Sequence, residues 1–287
     1  MNDLLQVWQF AIPVALAALG ETISQRAGVI TIGLEGSMLS AAYIGALAGL
    51  RTGNPWIGMT AGLIAGIIIA LLSAFFIVKL AADQVVVGAA VNLMALGVTG
   101  TLFRAAFGQS GTLLSFNTLP KVNGIDALMI ATVVLVPLVH LALKRTGWGL
   151  VTRAAGEFPK AVEAEGYRVD RLRVFAMILA GAFSGLAGGY LSLGIVGSFA
   201  ENMTAGRGFL AIALVTFGRW NPYGVFAAAM MMGYLELLQF KFQAEGAAVP
   251  YQLLLALPYL VALVVLIIAG KGTKSPAALG VPFRRER

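Results

Sequence analysis

Residues 144–173 read KRTGWGLVTRAAGEFPKAVEAEGYRVDRLR and interrupt an otherwise apolar chain. This segment contains seven of the 20 Lys and Arg residues of the protein. Apolar runs flank it on both sides, and each is long enough for a membrane-spanning helix, which needs about 20 residues. The pattern predicts a polar loop between two membrane spans. Because the loop is sizeable and has a short helix of its own, we expect it to dock onto a partner.

The composition indicates an all-α polytopic membrane protein that forms one transmembrane domain over residues 1–287. Of these residues, 59% are hydrophobic and 11% are charged, and the mean hydropathy is +0.87. A soluble domain has about 25% charged residues. The apolar runs are continuous, whereas a transmembrane β-barrel alternates apolar and polar residues. The 35 glycines suit close helix packing in a bilayer. The absence of cysteine from the sequence excludes disulfides and thiolate metal sites.

The apolar runs predict about nine spans. Segment 205–219 is short for a crossing, so we expect a re-entrant or broken helix there. Glu35 lies near the start of the second run and predicts an irregular start to that helix. The predicted spans are 4–20, 33–51, 55–79, 84–104, 124–143, 172–197, 205–219, 222–242 and 250–269.

Basic residues predict the orientation, because loops rich in Lys and Arg stay in the cytoplasm. Loop 144–173 and the tail 271–287 are both basic, so both are expected to be cytoplasmic. With nine spans, the N-terminus then lies outside. The net charge of +7 is concentrated beside spans and is therefore not the signature of a nucleic-acid-binding protein.

A short helix is predicted inside the loop. Pro159 suits a first helical position, where its missing N–H costs nothing. Glu157 lies just upstream, where a negative charge favours a helix N-terminus. Gly166 is a plausible stop. The small residues of such a helix can fit a groove in a partner, although a merely solvated helix on the membrane surface is the alternative.

Two long motifs resemble the permeases of ABC importers, specifically the branch for simple sugars and nucleosides. One is GEFPKAVEAEGYRV at 156–169, followed by FAMILAGAFSGLAGGYLSLG at 175–194. The other is ETISQRAGVITIGLEGSMLSAAYIGA at 21–46, similar to the pattern E-x-x-x-x-R-x-G-V-x-N-I-G-x-E-G. That pattern is clearest in permeases that work with nucleoside-binding lipoproteins of the basic-membrane-protein type. Thr31 stands where this family usually has Asn. The resemblance covers residues 18–270 approximately.

The resemblance implies a type II-like importer permease in a bacterial cytoplasmic membrane. Such an importer has two permeases, two ATPases and an extracytoplasmic solute-binding lipoprotein. The second permease is expected to be a different chain, with a homodimer as the alternative. The coupling helix, matched by residues of about 156–166, docks into a cleft on the ATPase, which binds ATP and Mg²⁺. The residues assigned to this docking are Gly156, Glu157, Pro159, Lys160, Ala161, Ala164, Glu165 and Gly166.

The sequence agrees with this division of labour. It lacks the G-x-x-x-x-G-K-[ST] phosphate loop, so ATP hydrolysis is expected in a separate chain. The chain is expected to bind no cofactor or metal itself and to catalyse no reaction. We expect the chain to contact membrane lipid and the partner subunits.

Polar residues at membrane depth are the other candidates for a functional role, because buried charges usually face protein or a water path. We expect Glu21, Arg26 and Glu35 to pair within the fold and fix a bent helix start, with direct contact to the substrate as the alternative. The glycines of the same motif are Gly28, Gly33 and Gly36. The candidates for the translocation path are Asn92, Glu236 and Gln239. Asn92 holding a neighbouring helix is the alternative, as is simple exposure of the other two at the interface.

The leading hypothesis is therefore a permease subunit of an ATP-driven importer of nucleosides or simple sugars. The scarcity of mid-membrane charge suits a neutral cargo of either kind. The alternative is an ion-coupled secondary transporter, which requires a carboxylate at membrane depth as its ion site. Its candidates before the loop, Asp83 and Glu35, look peripheral.

Overall fold

The computed structural model describes residues 2–108, 116–245, 251–269 and 274–283, and these form helices with no β-strand among them. The all-α prediction is therefore confirmed. Two helices continue as π-helices: α3 through Phe75–Lys79 and α8 through Leu191–Val196. The helices are α1 (Asn2–Arg26), α2 (Leu34–Thr52), α3 (Pro55–Ala74), α4 (Gln84–Phe107), α5 (Ala127–Arg145), α6 (Gly147–Glu157), α7 (Pro159–Ala164), α8 (Val169–Tyr190), α9 (Arg207–Phe217), α10 (Pro222–Ala244) and α11 (Tyr251–Ala269).

Six helices of the described residues are long and apolar enough to cross a membrane. They are α1, α3 with its π-helix, α4, α5, α8 with its π-helix, and α10. The predicted total of about nine spans is not confirmed. The prediction of a short helix within 205–219 is confirmed, because α9 has 11 residues. Its length of about 16 Å is half of the hydrocarbon core of about 30 Å.

Four of the six candidate membrane helices, and α6 as well, begin at a side-chain cap. Such a cap satisfies a backbone N–H that has no partner within the helix. The caps are Asn54 before α3, Asp83 before α4, Asp126 before α5, Thr146 before α6 and Asn221 before α10. By contrast, α9 follows Gly206 and receives no cap from that residue. Its N–H groups are bound by a residue from another helix, described below.

Glycines bring α2, α3 and α8 into close contact at the centre of the bundle. A Cβ atom on Gly185 of α8 would lie 2.6 Å from the carbonyl oxygen of Gly62 in α3. A Cβ on Gly58 of α3 would lie 2.6 Å from the carbonyl oxygen of Gly45 in α2. These backbones therefore touch without intervening side chains, as expected of helix packing in lipid. The packing role predicted for the glycines is confirmed.

The loops lie at two opposite ends of the bundle. The face with the loop that is predicted to dock, called the docking face below, comprises 27–33, 80–83, 146–168, 218–221 and 274–283. The distal face comprises 53–54, 116–126, 197–203 and the ends of α1 and α10 beside them. On the docking face, Ala278 N–H donates to the Gly156 carbonyl at 2.8 Å. On the distal face, the Lys241 ammonium lies 2.7 Å from the Asp3 carboxylate. Loop 144–173 and the described part of the tail therefore share one side, as predicted.

Candidate functional site

The predicted docking segment, residues 146–168, contains two short helices, α6 and α7, rather than one. Pro159 begins α7 and Gly166, with φ +87°, follows its end, so the predicted start and stop are confirmed. The predicted helix over 156–166 is wrong at its N-terminal end, because Gly156 and Glu157 belong to α6. Phe158 separates the helices with φ −137° and ψ 76°. A residue before proline is disfavoured in the α-conformation, which explains the break.

The outer surface of α7 is exposed. Val162 is buried and packs with Ala155 and Val169, so it fixes α7 on the rest of the molecule. Phe158 is 71% exposed, although its side chain is large and apolar. Of the predicted docking residues, the exposed ones are Glu157, Lys160, Ala161, Ala164, Glu165 and Gly166. Phe158 was not predicted as a docking residue. The available signal was its position as an aromatic residue directly before Pro159, which begins the helix.

Gly156 has a different position from its predicted neighbours. It is buried against the end of α1, where a Cβ atom would lie 3.1 Å from the carbonyl carbon of Arg26 and 3.3 Å from the nitrogen of Gly28. The residue thus allows α6 to contact the loop between α1 and α2. Gly28 itself has φ +89°, a conformation that favours glycine.

The tail segment 274–283 forms hydrogen bonds with α6, with the loop between α1 and α2, and with α8. Besides the bond from Ala278 to Gly156, Gly280 N–H donates to the Gly28 carbonyl at 3.2 Å. Arg173, which is 2% exposed, donates through its guanidinium to the Val281 carbonyl at 3.0 Å. Residues 274–283, called the strap below, therefore connect the docking segment, the α1–α2 loop and the start of α8 by hydrogen bonds. No local motif in the sequence indicated this arrangement.

Glu21, Arg26 and Glu35 each bond to other groups within the fold, as predicted, but not to one another. Glu21 accepts from the Gln25 amide at 2.9 Å and from Thr31 N–H at 3.0 Å. Arg26 donates to the Trp220 carbonyl at 3.0 Å. The reason is the path of the chain: the non-helical residues 27–33 lead it away from α1 before α2 begins, so Glu35 faces α9. The irregular helix start that was predicted here is confirmed.

Glu35 caps the N-terminus of α9. Its two carboxylate oxygens accept from the backbone N–H groups of Gly206 at 2.7 Å and Gly208 at 2.6 Å. The side chain is 8% exposed. A carboxylate at this place also interacts favourably with the positive end of the helix dipole. Gly208 allows the contact, because a Cβ there would lie 2.6 Å from the Glu35 Cα.

Asn92 holds the start of α2. Its side-chain oxygen accepts from Gly36 N–H at 2.8 Å, and its amide nitrogen donates to the Ile32 carbonyl at 3.0 Å. Gly36 and Gly33 let α4 approach, since a Cβ would lie 2.9 Å from Asn92 Cα and 3.1 Å from Val91, respectively. The helix-holding interpretation of Asn92 thus agrees with the geometry. Asn92 does not line the cavity described next.

A cavity of about 160 Å³, called the central cavity below for its depth in the membrane, lies between α1, α9, α10 and α11. Because α9 ends beside Trp220 on the docking face and spans half of the hydrocarbon core, its start and this cavity lie near the middle of the membrane. Two predicted path residues, Glu236 and Gln239, line the cavity. Phe10, Val14 and Met232 form apolar parts of the wall, and Arg207, Gln243 and Tyr259 contribute polar groups.

Each charged side chain beside the cavity interacts with another group of the protein. Arg207 forms an ion pair with Glu236, and their side chains are 20% and 17% exposed. Glu35 is engaged by the N-terminus of α9, as described above. The Tyr259 hydroxyl donates to the Ala205 carbonyl. Uncharged amides remain available: the buried Gln243 Nε2 has no partner among the described residues. Such a site suits a neutral ligand that forms hydrogen bonds. Sequence reasoning missed Arg207, Gln243 and Tyr259.

The carboxylates proposed for an ion-coupled transporter are both committed to helix caps. Asp83 accepts from Val85 N–H at 2.8 Å and from Val86 N–H at 3.0 Å. Glu35 is bound in the same manner at α9. Neither side chain lines the central cavity.

Comparison with known proteins gives consistent matches along nearly the whole chain. Residues 4–270 match the protein family described as branched-chain amino acid transport system, permease component. The chain is 30% identical to the guanosine ABC transporter permease protein NupQ of Bacillus subtilis, over 96% of this chain and 93% of that protein. It is 27% identical to the nucleoside ABC transporter permease protein NupC of Lactococcus lactis, over 97% and 95%, respectively.

A further relative has a sugar in its name. The putative glucose ABC transporter permease protein TsgC13 of Haloferax volcanii is 35% identical, over 84% of this chain and 77% of that protein. No solved structure matches the chain significantly.

Proposed function

Because this chain belongs to the family of branched-chain amino acid transport system permease components, we propose that it carries a nucleoside across the membrane, with a simple sugar as the second candidate. The chain is a multi-pass membrane protein and the permease subunit of an ABC importer. The names of two relatives support a nucleoside and that of a third supports a sugar.

The observation that carries the cargo proposal is the balanced charge beside the central cavity. An anionic or cationic cargo would have to compete with the Arg207–Glu236 pair for one of its members. A neutral cargo with an apolar face and several hydroxyl or amide groups requires no such exchange. It can contact the apolar wall and bond to Gln239 and Gln243. A nucleoside combines these features, and a sugar offers the hydroxyl groups.

The orientation proposed is the docking face in the cytoplasm of a bacterial cell. The distribution of the described basic side chains supports it, because cytoplasmic loops are enriched in Lys and Arg. The docking face and the adjoining helix ends have Arg26, Lys79, Lys144, Arg145, Arg153, Lys160, Arg168, Arg171, Arg173, Arg219 and Lys274, whereas the distal side has Arg51, Arg104, Lys121 and Lys241.

In this orientation, the proposed partner at α7 is an ATPase subunit that binds ATP and Mg²⁺. A solute-binding lipoprotein delivers cargo to the distal face, and a second permease chain, different from this one, completes the pore. The single domain of residues 1–287 then supplies half of the path. Movement of the ATPase reaches α8 and the α1–α2 loop through the strap of residues 274–283.

Replacing Ala161 by Trp is expected to weaken ATPase docking. Ala161 is exposed on α7, so a larger side chain leaves the fold intact and obstructs only a close partner. Phe158→Ala is expected to weaken the same contact about fivefold, or ~1 kcal/mol, because exposed aromatic residues at an interface are frequent anchors. The measurement is co-purification of the ATPase with the tagged permease, with Ala161→Ser as the size-matched control. Full recovery of the ATPase with Ala161→Trp would show that α7 is not the docking site.

Reconstituted vesicles test the cargo. The complete complex would be assembled with its ATPase, second permease and binding lipoprotein, and uptake of radiolabelled guanosine, uridine, ribose and glucose would be compared with and without ATP. We expect ATP-dependent uptake of the nucleosides. Uptake of the sugars alone would overturn the nucleoside proposal in favour of the second candidate. Uptake of neither class would contradict the proposal for both.

A further inference from the structure

A second cavity, of about 540 Å³, opens at the docking-face end of the membrane region, between α3 and α8. Lys79, the last residue of the π-helix that follows α3, lines it on one side. Arg168 and Arg171, at the start of α8, line it on the other side. Both elements cross the membrane, and the three basic residues mark their ends. The cavity therefore lies at the level of lipid headgroups.

The π-helix shapes this cavity. Leu80 N–H donates to the Phe75 carbonyl at 3.2 Å, and Ala82 N–H donates to the Phe76 carbonyl at 3.1 Å. This wider turn ends α3 with Val78 packed inward in the cluster that contains Met177 of α8. Short π-helical turns of this kind are frequent at functional sites. Here the turn places Lys79 beside the first turn of α8.

The cavity has an excess of positive charge. The side chains of Lys79, Arg168 and Arg171 form no hydrogen bond or ion pair with another residue in the part of the chain that the structure describes. The acidic side chain among the lining residues is Asp170, so the formal charge is three minus one, or +2. Unpaired guanidinium and ammonium groups on two neighbouring elements suit a phosphate, since Arg binds phosphate oxygens in a bidentate manner.

The wall continues as an apolar surface toward the membrane interior. Val174 and Ile178 follow the basic residues along α8 and line the same cavity, as does Phe175, which is 48% exposed. Trp148 lies against Phe175 with ring centroids 5.8 Å apart, and indole rings favour the headgroup level of a bilayer. A soluble phosphate compound would leave this apolar wall unused, whereas a lipid chain would cover it.

We propose that this cavity is a binding site for an anionic phospholipid. Lys79, Arg168 and Arg171 bind the phosphate of the headgroup, and an acyl chain lies along Val174, Phe175 and Ile178. Basic pockets between transmembrane helices on the cytoplasmic side recognise lipid headgroups in this manner. The site depends on the position of the chain in a membrane and is independent of the identity of the cargo.

A lipid in this cavity would affect α8. This helix begins directly after the docking segment and packs along α3 through their glycines. A lipid bound to both helices at their docking-face ends would stabilise the junction that transmits movement from α7. We therefore expect the coupling between ATP hydrolysis and uptake to require anionic lipid.

The test compares two double variants of the full complex in nanodiscs of phosphatidylethanolamine with phosphatidylglycerol. Lys79→Gln/Arg171→Gln removes two charges from the cavity. Lys144→Gln/Arg145→Gln removes two exposed charges from the end of α5 on the same face and is the matched control. After transfer to detergent, the phosphatidylglycerol retained per complex is measured by mass spectrometry. A photoactivatable phosphatidylglycerol identifies the contacted peptides.

We expect the cavity variant to retain about threefold less phosphatidylglycerol, which corresponds to ~0.7 kcal/mol at the tenfold-per-1.4-kcal/mol scale. The control should retain as much as the unaltered protein, and crosslinks should map to residues 75–82 or 168–178. Equal retention by the two variants, or crosslinks that map elsewhere, would overturn the proposal. Displacement of the lipid by millimolar inorganic phosphate would also overturn it, because a soluble anion would then suffice.

Discussion

Replacing Glu236 by Gln is expected to lower ATP-dependent uptake by at least about tenfold and to destabilise the protein by about 3 kcal/mol. The variant leaves Arg207 as an unpaired, largely buried charge at the start of α9, where its side chain is 20% exposed. An uncompensated charge at membrane depth must recruit water or another partner. Since both residues line the central cavity, the unpaired cation would also hold back a neutral cargo.

The double variant Arg207→Gln/Glu236→Gln separates these effects. With both charges removed, much of the lost stability should return, because removing a buried pair costs less than breaking one. Thermal unfolding in detergent measures the stability, and vesicle uptake measures transport. Asp3→Asn breaks the exposed Lys241–Asp3 pair and is the control, for which we expect little change. A Glu236→Gln protein with normal uptake and stability would contradict the role assigned to the pair.

Replacing Glu35 by Ala is expected to have an effect of similar size, about 3 kcal/mol, together with loss of uptake. Two backbone N–H groups at the start of α9 would lose their only carboxylate acceptor in a buried position. The helix would also lose the favourable interaction between a negative charge and its positive end. Because α9 has 11 residues and supports one side of the cavity, loosening its first turn should displace Arg207.

Asp83 provides the matched control for Glu35. It also caps a helix with two backbone N–H contacts, at α4, but it is exposed to solvent. Asp83→Ala should therefore cost only about 1 kcal/mol, because water replaces the lost acceptor. Thermal unfolding of both variants and uptake in vesicles give the comparison. Equal small losses in the two variants would show that the cap of α9 does not hold the cavity together.

Local signals predicted the individual helices well. The predicted spans 84–104, 124–143 and 222–242 lie where the structure has α4, α5 and α10. Pro159 and Gly166 mark the limits of α7, and the short run 205–219 gave the half-length α9. These features depend on a few neighbouring residues, whose backbone conformations and unpaired N–H groups are constrained in the same way in any fold.

Contacts between distant segments could not be predicted in the same way. Glu21, Arg26 and Glu35 share a motif of 15 residues, but each bonds to a different part of the molecule. Their partners depend on how residues 27–33 turn the chain and on where α9 begins, and neither is encoded locally. The unpredicted strap of 274–283 crosses more than 100 residues to reach Gly156 and more than 240 to reach Gly28.

The sequence alone predicted a helical membrane protein with a long polar loop, and its two long motifs indicated the family that the comparisons confirm. Hydropathy and short motifs suffice for these conclusions, because the cost of burying polar groups in lipid restricts each segment separately. The tertiary structure alone decided which charges neutralise one another at the cavity, that Asn92 supports a helix, and that Phe158 is exposed. Those properties arise from the packing of helices that are far apart in the chain. Many of these helices have similar small and apolar faces, so the sequence does not show which faces pack together.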